Sequence, residues 1–473
     1  MRRLLTLVLF APLSCAVAAT IDVTTAATTG AGSIRDAISQ VNALGGGPHT
    51  IRYTASVPFQ SLGLLASTLP QITATDVTID GNGRQPHIDG NSAHRILQIG
   101  PNVAKLTLRG IRLWNGRADR GACIDSTYSN VATADLILED VQFKGCKAIG
   151  TSLIRGGAVS WTVSDGSVTI HDSLFESNIA EATAAGGQSD GGALYTSTDL
   201  IVERSRFEGN AAVASGGGGF GGAIRIFGSG AVARIVDSNF RFNGASPTSP
   251  SFGHGGAIAL ICDDCDLQMQ RSYLRGNSAN SGGGVYAAKA SAGGIDTFLT
   301  LTNVTLYNHS VLDRGGGVRV GHGVGFTASN NTFYNNDASN GAHLSFDGTS
   351  EVYFFRANLL APTFSGNACD GVPTWAPGVG GGNLLASGSC SVIGGTSIPA
   401  TPLGSIAADE PATGVGVLRF SGGAVIDSLA ASLCEPRDAR FQQRPIDGDG
   451  NGDARCDVGA YEFNPVLFKD SFE

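Results

Sequence analysis

The sequence predicts an all-β chain wound as a parallel β-helix, and three observations carry that reading. An F-x-x-N phrase recurs, its lead residue falling at Phe143, Phe175, Phe207, Phe240, Leu274 and Leu306 in steps of 32, 32, 33, 34 and 32, with Phe333 after a shorter step. A glycine pair recurs in phase with it, at Gly156-Gly157, Gly191-Gly192, Gly221-Gly222, Gly255-Gly256, Gly282-Gly283 and Gly315-Gly316. Each period also holds three short strand-like runs separated by Gly and Asn corners. Periods of this length mark solenoids, propellers or arrays. A propeller needs four longer strands per blade and an aromatic signature, whereas the whole chain has 3 Trp. Stacked coils set like residues about 4.8 Å apart. The phenylalanines then form an internal stack, and Asn178, Asn210, Asn243 and Asn277, with looser versions at Asn308 and Asn336, occupy a corner.

Taken in order, Thr20 to Thr25 reads as a first strand. Ser33-Ile34-Arg35-Asp36 fits a capping box, and Ile34, Ala37, Ile38, Val41 and Leu44 form one apolar helical stripe that ends at Gly45-Gly46-Gly47. Such a helix suits the open end of a stack. Between Thr50 and Leu113, β-branched runs alternate with Asp-Gly and Asn-Gly turns. The repeat follows. Beyond Phe333 the register decays, with echoes at Asn358-Leu359-Leu360-Ala361 and Asn383-Leu384-Leu385-Ala386 and a loop-rich closing cap. The expected divisions are 1–19 as a signal peptide, 20–113 as cap and first coils, 114–350 as the repeat, 351–463 as degenerate coils and C-terminal cap, and 464–473 as a tail.

Composition narrows the class. The 473 residues are 42% hydrophobic and 15% charged, with 67 Gly; low charge with many Val, Ile, Leu and Phe argues against disorder. A net charge of -9 disfavours general binding to nucleic acid or anionic membranes. Arg2-Arg3, the apolar run Leu4 to Leu13 and Ala16-Val17-Ala18-Ala19 read as a cleavable secretory signal. No later segment has the length and hydropathy of a transmembrane helix, so an exported, monomeric protein, secreted or at the cell surface, is expected. Of 9 cysteines, Cys15 lies in the leader. Proximity in sequence pairs the rest as Cys123 with Cys146, Cys262 with Cys265, Cys369 with Cys390, and Cys434 with Cys456, in an oxidising compartment.

Gly32-Ser33-Ile34-Arg35-Asp36-Ala37-Ile38 near the start and Cys456-Asp457-Val458-Gly459-Ala460-Tyr461-Glu462 near the end resemble a bacterial family of exported right-handed parallel β-helix proteins with a choice-of-anchor type C-terminal domain. The F-x-x-N and G-G-A-I phrases are also similar to the repeats of polymorphic outer-membrane proteins. The resemblance spans roughly Thr20 to Phe463 and implies a pectin-lyase-like fold at a surface or outside the cell, with no settled activity. Gly32 stands where the family usually has a cysteine, which removes a disulfide from that helix. The Phe468-Lys469-Asp470-Ser471-Phe472-Glu473 tail is similar to short tails of secreted bacterial proteins, and a frayed terminus accounts for it equally well.

Three constellations could carry chemistry. Asp447, Asp449, Asn451 and Asp453 alternate around glycines as in the start of a calcium loop; Val458 replaces the bidentate Glu, so Asp457 or Glu462 would have to substitute, and a solvated acidic turn is the plain alternative. Gly253-His254-Gly255 and Gly321-His322-Gly323 invite comparison with polygalacturonase-type glycosidases, but the paired carboxylates that inverting hydrolysis needs are not evident, and the first reads better as part of the repeat corner. Arg437, Arg440 and Arg444 read as structural ion-pairing groups. Aligning the coils after each glycine pair then places Ser160, Tyr195, Arg225, Ala259, Tyr286 and Arg319 outward by strand alternation. Tyr195 to Arg319 covers roughly 19 Å at strand spacing. Tyr195, Arg225, Tyr286 and Arg319 suit sugar stacking and uronate pairing, against the plain reading of ordinary strand surface. Before them lie Gly/Ala/Ser-rich loops, of 12 residues at 179–190, 10 at 211–220 and 11 at 244–254, which would wall any groove. The leading expectation is a non-enzymatic protein that binds a polysaccharide or cell-surface glycan. A polysaccharide lyase or glycosidase, and a passive envelope scaffold, are the alternatives.

Overall fold

The computed structural model describes residues 18–126, 133–248, 252–361, 367–375, 380–385, 390, 396–397, 406–410 and 414–465. Most of the expected leader and the Phe468 to Glu473 tail lie outside these. The chain is a parallel β-solenoid. The strands of each coil hydrogen-bond to those one coil on, which builds two 13-stranded sheets, one 10-stranded sheet and one 11-stranded sheet along the axis, and Ile406–Asp409 pairs antiparallel with Val417–Phe420 apart from them. One coil runs Asp135–Glu139, Gln142–Lys144, Lys147–Gly150, Leu153–Arg155 and Val159–Trp161, one strand to each of three sheets and two to the fourth.

The repeat phrases are the interior of this stack. Phe143, Phe175, Phe207 and Phe240 are fully buried, with successive ring centroids 4.6, 4.6 and 4.9 Å apart in near-parallel planes. At the next corner the buried Asn178 accepts from the Cys146 amide at 3.0 Å, and Asn210 does the same for Asn178, Asn243 for Asn210 and Asn277 for Asn243. Each of these asparagines also donates to a carbonyl beside the preceding coil's stack, as Asn210 Nδ2 does to Phe175 O at 3.0 Å. Buried backbone groups at a corner lack ladder partners, and one carboxamide satisfies donor and acceptor together. Beyond Asn277 the ladder passes to His309, whose Nδ1 takes the Asn277 amide at 3.0 Å, while Asn308 is exposed.

His309 and His343 are buried, and burial lowers their pKa from 6.5 to about 3 and about 4. Both are therefore neutral when folded and protonate more readily when unfolded. The stability this contributes is complete above pH 6.5 and falls as acidification proceeds from there, by about 1.4 kcal/mol per pH unit for each histidine. His309→Asn, which can rejoin the ladder, is expected to flatten the acid limb of a urea-midpoint profile between pH 6.5 and 4.

The two glycines of each pair have different physical reasons. The first takes the left-handed conformation, with φ of 65° at Gly191 and 68° at Gly221. The second has no room for a side chain: a Cβ on Gly192 would overlap Gly222 O and the Ala211 backbone.

At the N-terminal end, the helix Ile34–Leu44 buries Ile34, Ala37, Ile38 and Val41, with Ser33 Oγ accepting from Asp36 N and Asp36 Oδ2 from Gly32 N. Leu44, expected on the stripe, is 56% exposed because the helix ends there and Gly45 turns the chain away. Asn42 ties the helix to the first coils by bonds to Gln71 O and Thr73 N. The four expected cysteine pairs are all present, with Cα–Cα separations of 5.9, 6.1, 4.8 and 6.4 Å, inside the range a disulfide spans. Among the described residues no helix is long and apolar enough to cross a membrane.

Past Thr396–Ser397 the chain returns along the flank of the solenoid. Val417, Leu418, Phe420, Val425, Leu429, Cys456 and Tyr461 form a second core with Ala357, Leu359 and Leu384. Polar latches run beside it: Asn239 to Gly414 O at 2.8 Å, Tyr273 to Glu410 at 2.6 Å, Asn303 to Arg437 O at 2.8 Å, and Ala460 N to Thr332 at 2.9 Å.

Candidate functional site

The three long stretches before Tyr195, Arg225 and Ala259 do stack on one edge, but as strands. Ile179–Ala182, Ala211–Ser215 and Gly244–Thr248 form one parallel ladder, and Gln188–Asp190, Gly218–Phe220 and Phe252–His254 a second. Where the stretch shortens, Ser278–Ser281 pairs with the ends of both ladders and merges them.

The second ladder meets the 10-stranded sheet at the glycine corner, so two side-chain lanes face each other. One is the expected lane, in register through Ser160, Tyr195, Arg225, Ala259, Tyr286 and Arg319. The other is Arg155, Asp190, Phe220 and His254. The lanes close on each other. The Arg155 guanidinium lies 4.8 Å from the Tyr195 ring centroid, and Arg225 Nε lies 4.0 Å from Asp190. Arg225 also sits 5.3 Å from the Phe220 centroid and 5.2 Å from that of Phe227. The His254 and Tyr286 rings stack at 4.4 Å.

Tyr195 and Arg225 therefore leave the coil interior as expected but are only 2% and 3% exposed; strand alternation gives direction and says nothing of what covers the side chain. Tyr286 and Arg319 stay partly open, with Arg319 held by Ser345 at 2.8 Å and Asp347 at 3.7 Å. Burial pushes Asp190 up and Arg225 down, each opposed by the other's charge. Burial, then Arg225 and Arg319, lowers His254 to about 4, so its imidazole is neutral near pH 7. His254 reads in the sequence as corner; its place in the facing lane is visible by aligning the residue just before each glycine pair.

A second concavity lies where the returning segment meets the coils. A cleft of about 650 Å³ is lined by Asp172, Arg204, Arg206, Asp237 and Asn239 on the solenoid, and by Gly414, Val415, Arg440 and Phe441 opposite. Asp172, Arg204, Asp237 and Arg271 occupy successive left-handed corners, with φ of 51°, 47°, 52° and 45°. They pair alternately, Arg204 with Asp172 and Arg271 with Asp237, each at 2.8 Å. Asp172 is held below the usual carboxylate range by its bond to Arg204. Arg206 is fixed by Glu208 at 2.7 Å and Arg440 by Asp438 at 3.1 Å. Phe441 is 49% exposed, with the Arg271 guanidinium 4.2 Å from its centroid. These corner residues stand three places before each lead aromatic, so their lane is readable from the repeat, but the opposite wall is not.

In the terminal segment, Arg444 is fully buried against Glu462 at 3.2 Å, and Arg440 stacks on Tyr461 at 4.1 Å. Arg437 donates to Phe441 O at 3.1 Å. Of the expected metal ligands, Asp447 and Asp449 converge with Asp427, with ligand atoms mutually within 4.8 Å. Asn451 instead donates to Asp449 at 2.9 Å, and its own carbonyl takes the Asp453 amide at 2.7 Å. Asp457 accepts from the Asp427 and Phe463 amides, and Glu462 from those of Ile446 and Asp457. Burial pushes Asp457 up to about 7 and Glu462 up to about 8.

The chain matches no protein-family model, no curated protein and no solved structure.

Proposed function

We propose that this is an exported or surface-displayed protein, a right-handed β-helix of the pectin-lyase-like kind, that binds a glycan as a monomer without cleaving it. The observation that carries the reading is the cleft between the coils and the returning segment. Its volume lies in the range of ligand sites, and its polar groups converge from both walls. Carboxylate, amide and guanidinium groups there are each fixed by a partner before a ligand arrives, which lowers the ordering cost of binding. Sugar hydroxyls both donate and accept, as this mixed lining requires, and the half-exposed Phe441 ring offers an apolar face for a pyranose. Paired cysteines fit an oxidising, extracellular setting.

The test is binding of the purified chain to a panel of neutral and acidic polysaccharides. Phe441→Ala is expected to weaken the preferred interaction about tenfold, near 1.4 kcal/mol. Tyr286→Ala with Arg319→Ala is expected to leave it unchanged. The reverse pattern would move the contact to the facing lanes, and a chain that retains no glycan would be left as a passive scaffold.

One observation favours a second reading, a polysaccharide lyase or glycosidase. His254 stacks on Tyr286 beside the Arg225 and Arg319 charges, so an imidazole lies next to guanidinium groups able to pair a uronate carboxylate, the placement proton abstraction needs, though at a pKa of about 4 it is a weak base. New reducing ends, or absorbance from unsaturated uronates, would establish it in place of binding alone.

A further inference from the structure

We propose that Asp427, Asp447 and Asp449 form a calcium site that fastens the C-terminal segment, with Asp427 as the ligand that closes it. The proposal is independent of the glycan reading. Asp447 and Asp449 come from one glycine-rich turn, and Asp427 arrives from a segment about twenty residues earlier, yet a carboxylate oxygen of each lies within 4.8 Å of the others. Three like charges at that spacing repel strongly unless a proton or a cation intervenes.

The ion pairs of this region join Arg419 to Asp409, Arg356 to Glu435, Arg440 to Asp438 and Arg444 to Glu462. Among the described residues, none of them reaches the three carboxylates.

The independent observation is Asp427 itself. It is 8% exposed, and Oδ2 takes the Asp449 amide at 2.8 Å. Its buried Oδ1 has no hydrogen-bond partner. A carboxylate oxygen taken from water and given no donor is costly, and a cation shared with Asp447 and Asp449 removes that cost.

The turn is already shaped. Asp447 accepts the amides of Gly450 at 2.8 Å, Asn451 at 3.1 Å and Gly452 at 2.9 Å, and Asp449 accepts from Asn451 N at 3.0 Å and Nδ2 at 2.9 Å. An all-oxygen set of carboxylates from two separate segments suits calcium, which takes six to eight oxygens in loose geometry, better than magnesium, which demands a near-ideal octahedron.

Asn451 and Asp453 are bound to each other and lie outside this set. The site therefore differs from a linear calcium loop in a way that can be tested. It joins the turn at 447–453 to the segment that carries Asp427, whose amide already bonds to Asp457 at 2.8 Å.

The experiment is thermal unfolding and isothermal titration of the full chain with calcium chloride, after treatment with a chelator. One calcium per chain is expected, with Tm rising by roughly 2 °C or more at a hundredfold excess over Kd. Asp427→Asn is expected to abolish that rise and, in chelator, to raise Tm, since it relieves repulsion; the second effect also shows that the variant folds. Asn451→Ala and Asp453→Ala are expected to keep the calcium response. No response in the wild-type chain would overturn the proposal, as would a full response in Asp427→Asn, or its loss in both Asn451→Ala and Asp453→Ala. An equal response to magnesium chloride would overturn the choice of calcium.

Discussion

Phe207→Ala is expected to lower the stability of the solenoid by about 3–5 kcal/mol, read as a shift in the urea midpoint followed by circular dichroism. Phe207 is fully buried and lies between two other rings, 4.6 Å from Phe175 and 4.9 Å from Phe240, with interplanar angles of 5° and 4°. Removing it opens a void with a ring on each side. Parallel strands at fixed spacing cannot move together to fill it. Phe143→Ala removes a ring with only one phenylalanine neighbour in the stack, and should cost less by about 1 kcal/mol. Equal losses at both positions would show that the stack adds nothing beyond burial of each ring.

Asn210→Ala is expected to cost about 3 kcal/mol, because it strands partners and does not simply delete a contact. Asn210 Oδ1 accepts from the Asn178 amide at 3.0 Å and from Asn178 Nδ2 at 2.9 Å, while its own Nδ2 donates to Phe175 O. All three groups are inside the coil and water cannot replace them. Asn210→Asp separates the roles: it still accepts but cannot donate while ionised. A carboxyl buried there has its pKa raised, so the folded state holds its proton to higher pH than the unfolded state. The variant should be weak at pH 7 and recover as pH falls toward 4, measured as the difference from wild type at each pH. A flat difference would mean that the site is hydrated.

The interior of the fold was legible in the sequence because stacking forces periodicity. Phe207 over Phe175 and Asn210 over Asn178 are the same residue at the same height, and the glycine pair marks a corner where backbone meets backbone. The spacing was even a better guide than residue type: counting three places from Leu306 gives His309, the true ladder member, where the eye settles on Asn308. The sites were less legible. Alternation turns Tyr195 and Arg225 outward correctly, but their burial depends on a second ladder whose strands read as Gly/Ala/Ser-rich loop. The corner arginines and aspartates of the cleft follow the repeat, yet their opposite wall, Ala439 to Phe441, lies some two hundred residues away with no periodic relation to them. Asp427 is similarly invisible, since nothing in its neighbourhood resembles a ligand loop until the chain returns to Asp447.

The Asn ladder also makes the coils interchangeable. Excising Phe175 to Arg206, 32 residues, would bring Phe207 onto Phe143 and offer Asn210 to the Cys146 amide, the bond Asn178 now makes at 3.0 Å. The phenylalanine stack and the asparagine ladder are then remade, while Asp172 loses Arg204 and meets Asp237 at the next corner, and the rod shortens by one rung of about 4.8 Å. The coils that hold the returning segment, from Asn239 onward, are untouched, whereas Arg204 and Arg206 leave the cleft. Length in this protein is thus a quantity that can be added or removed in whole units, and a chain one unit shorter would keep its architecture while losing two of the guanidinium groups that line the cleft.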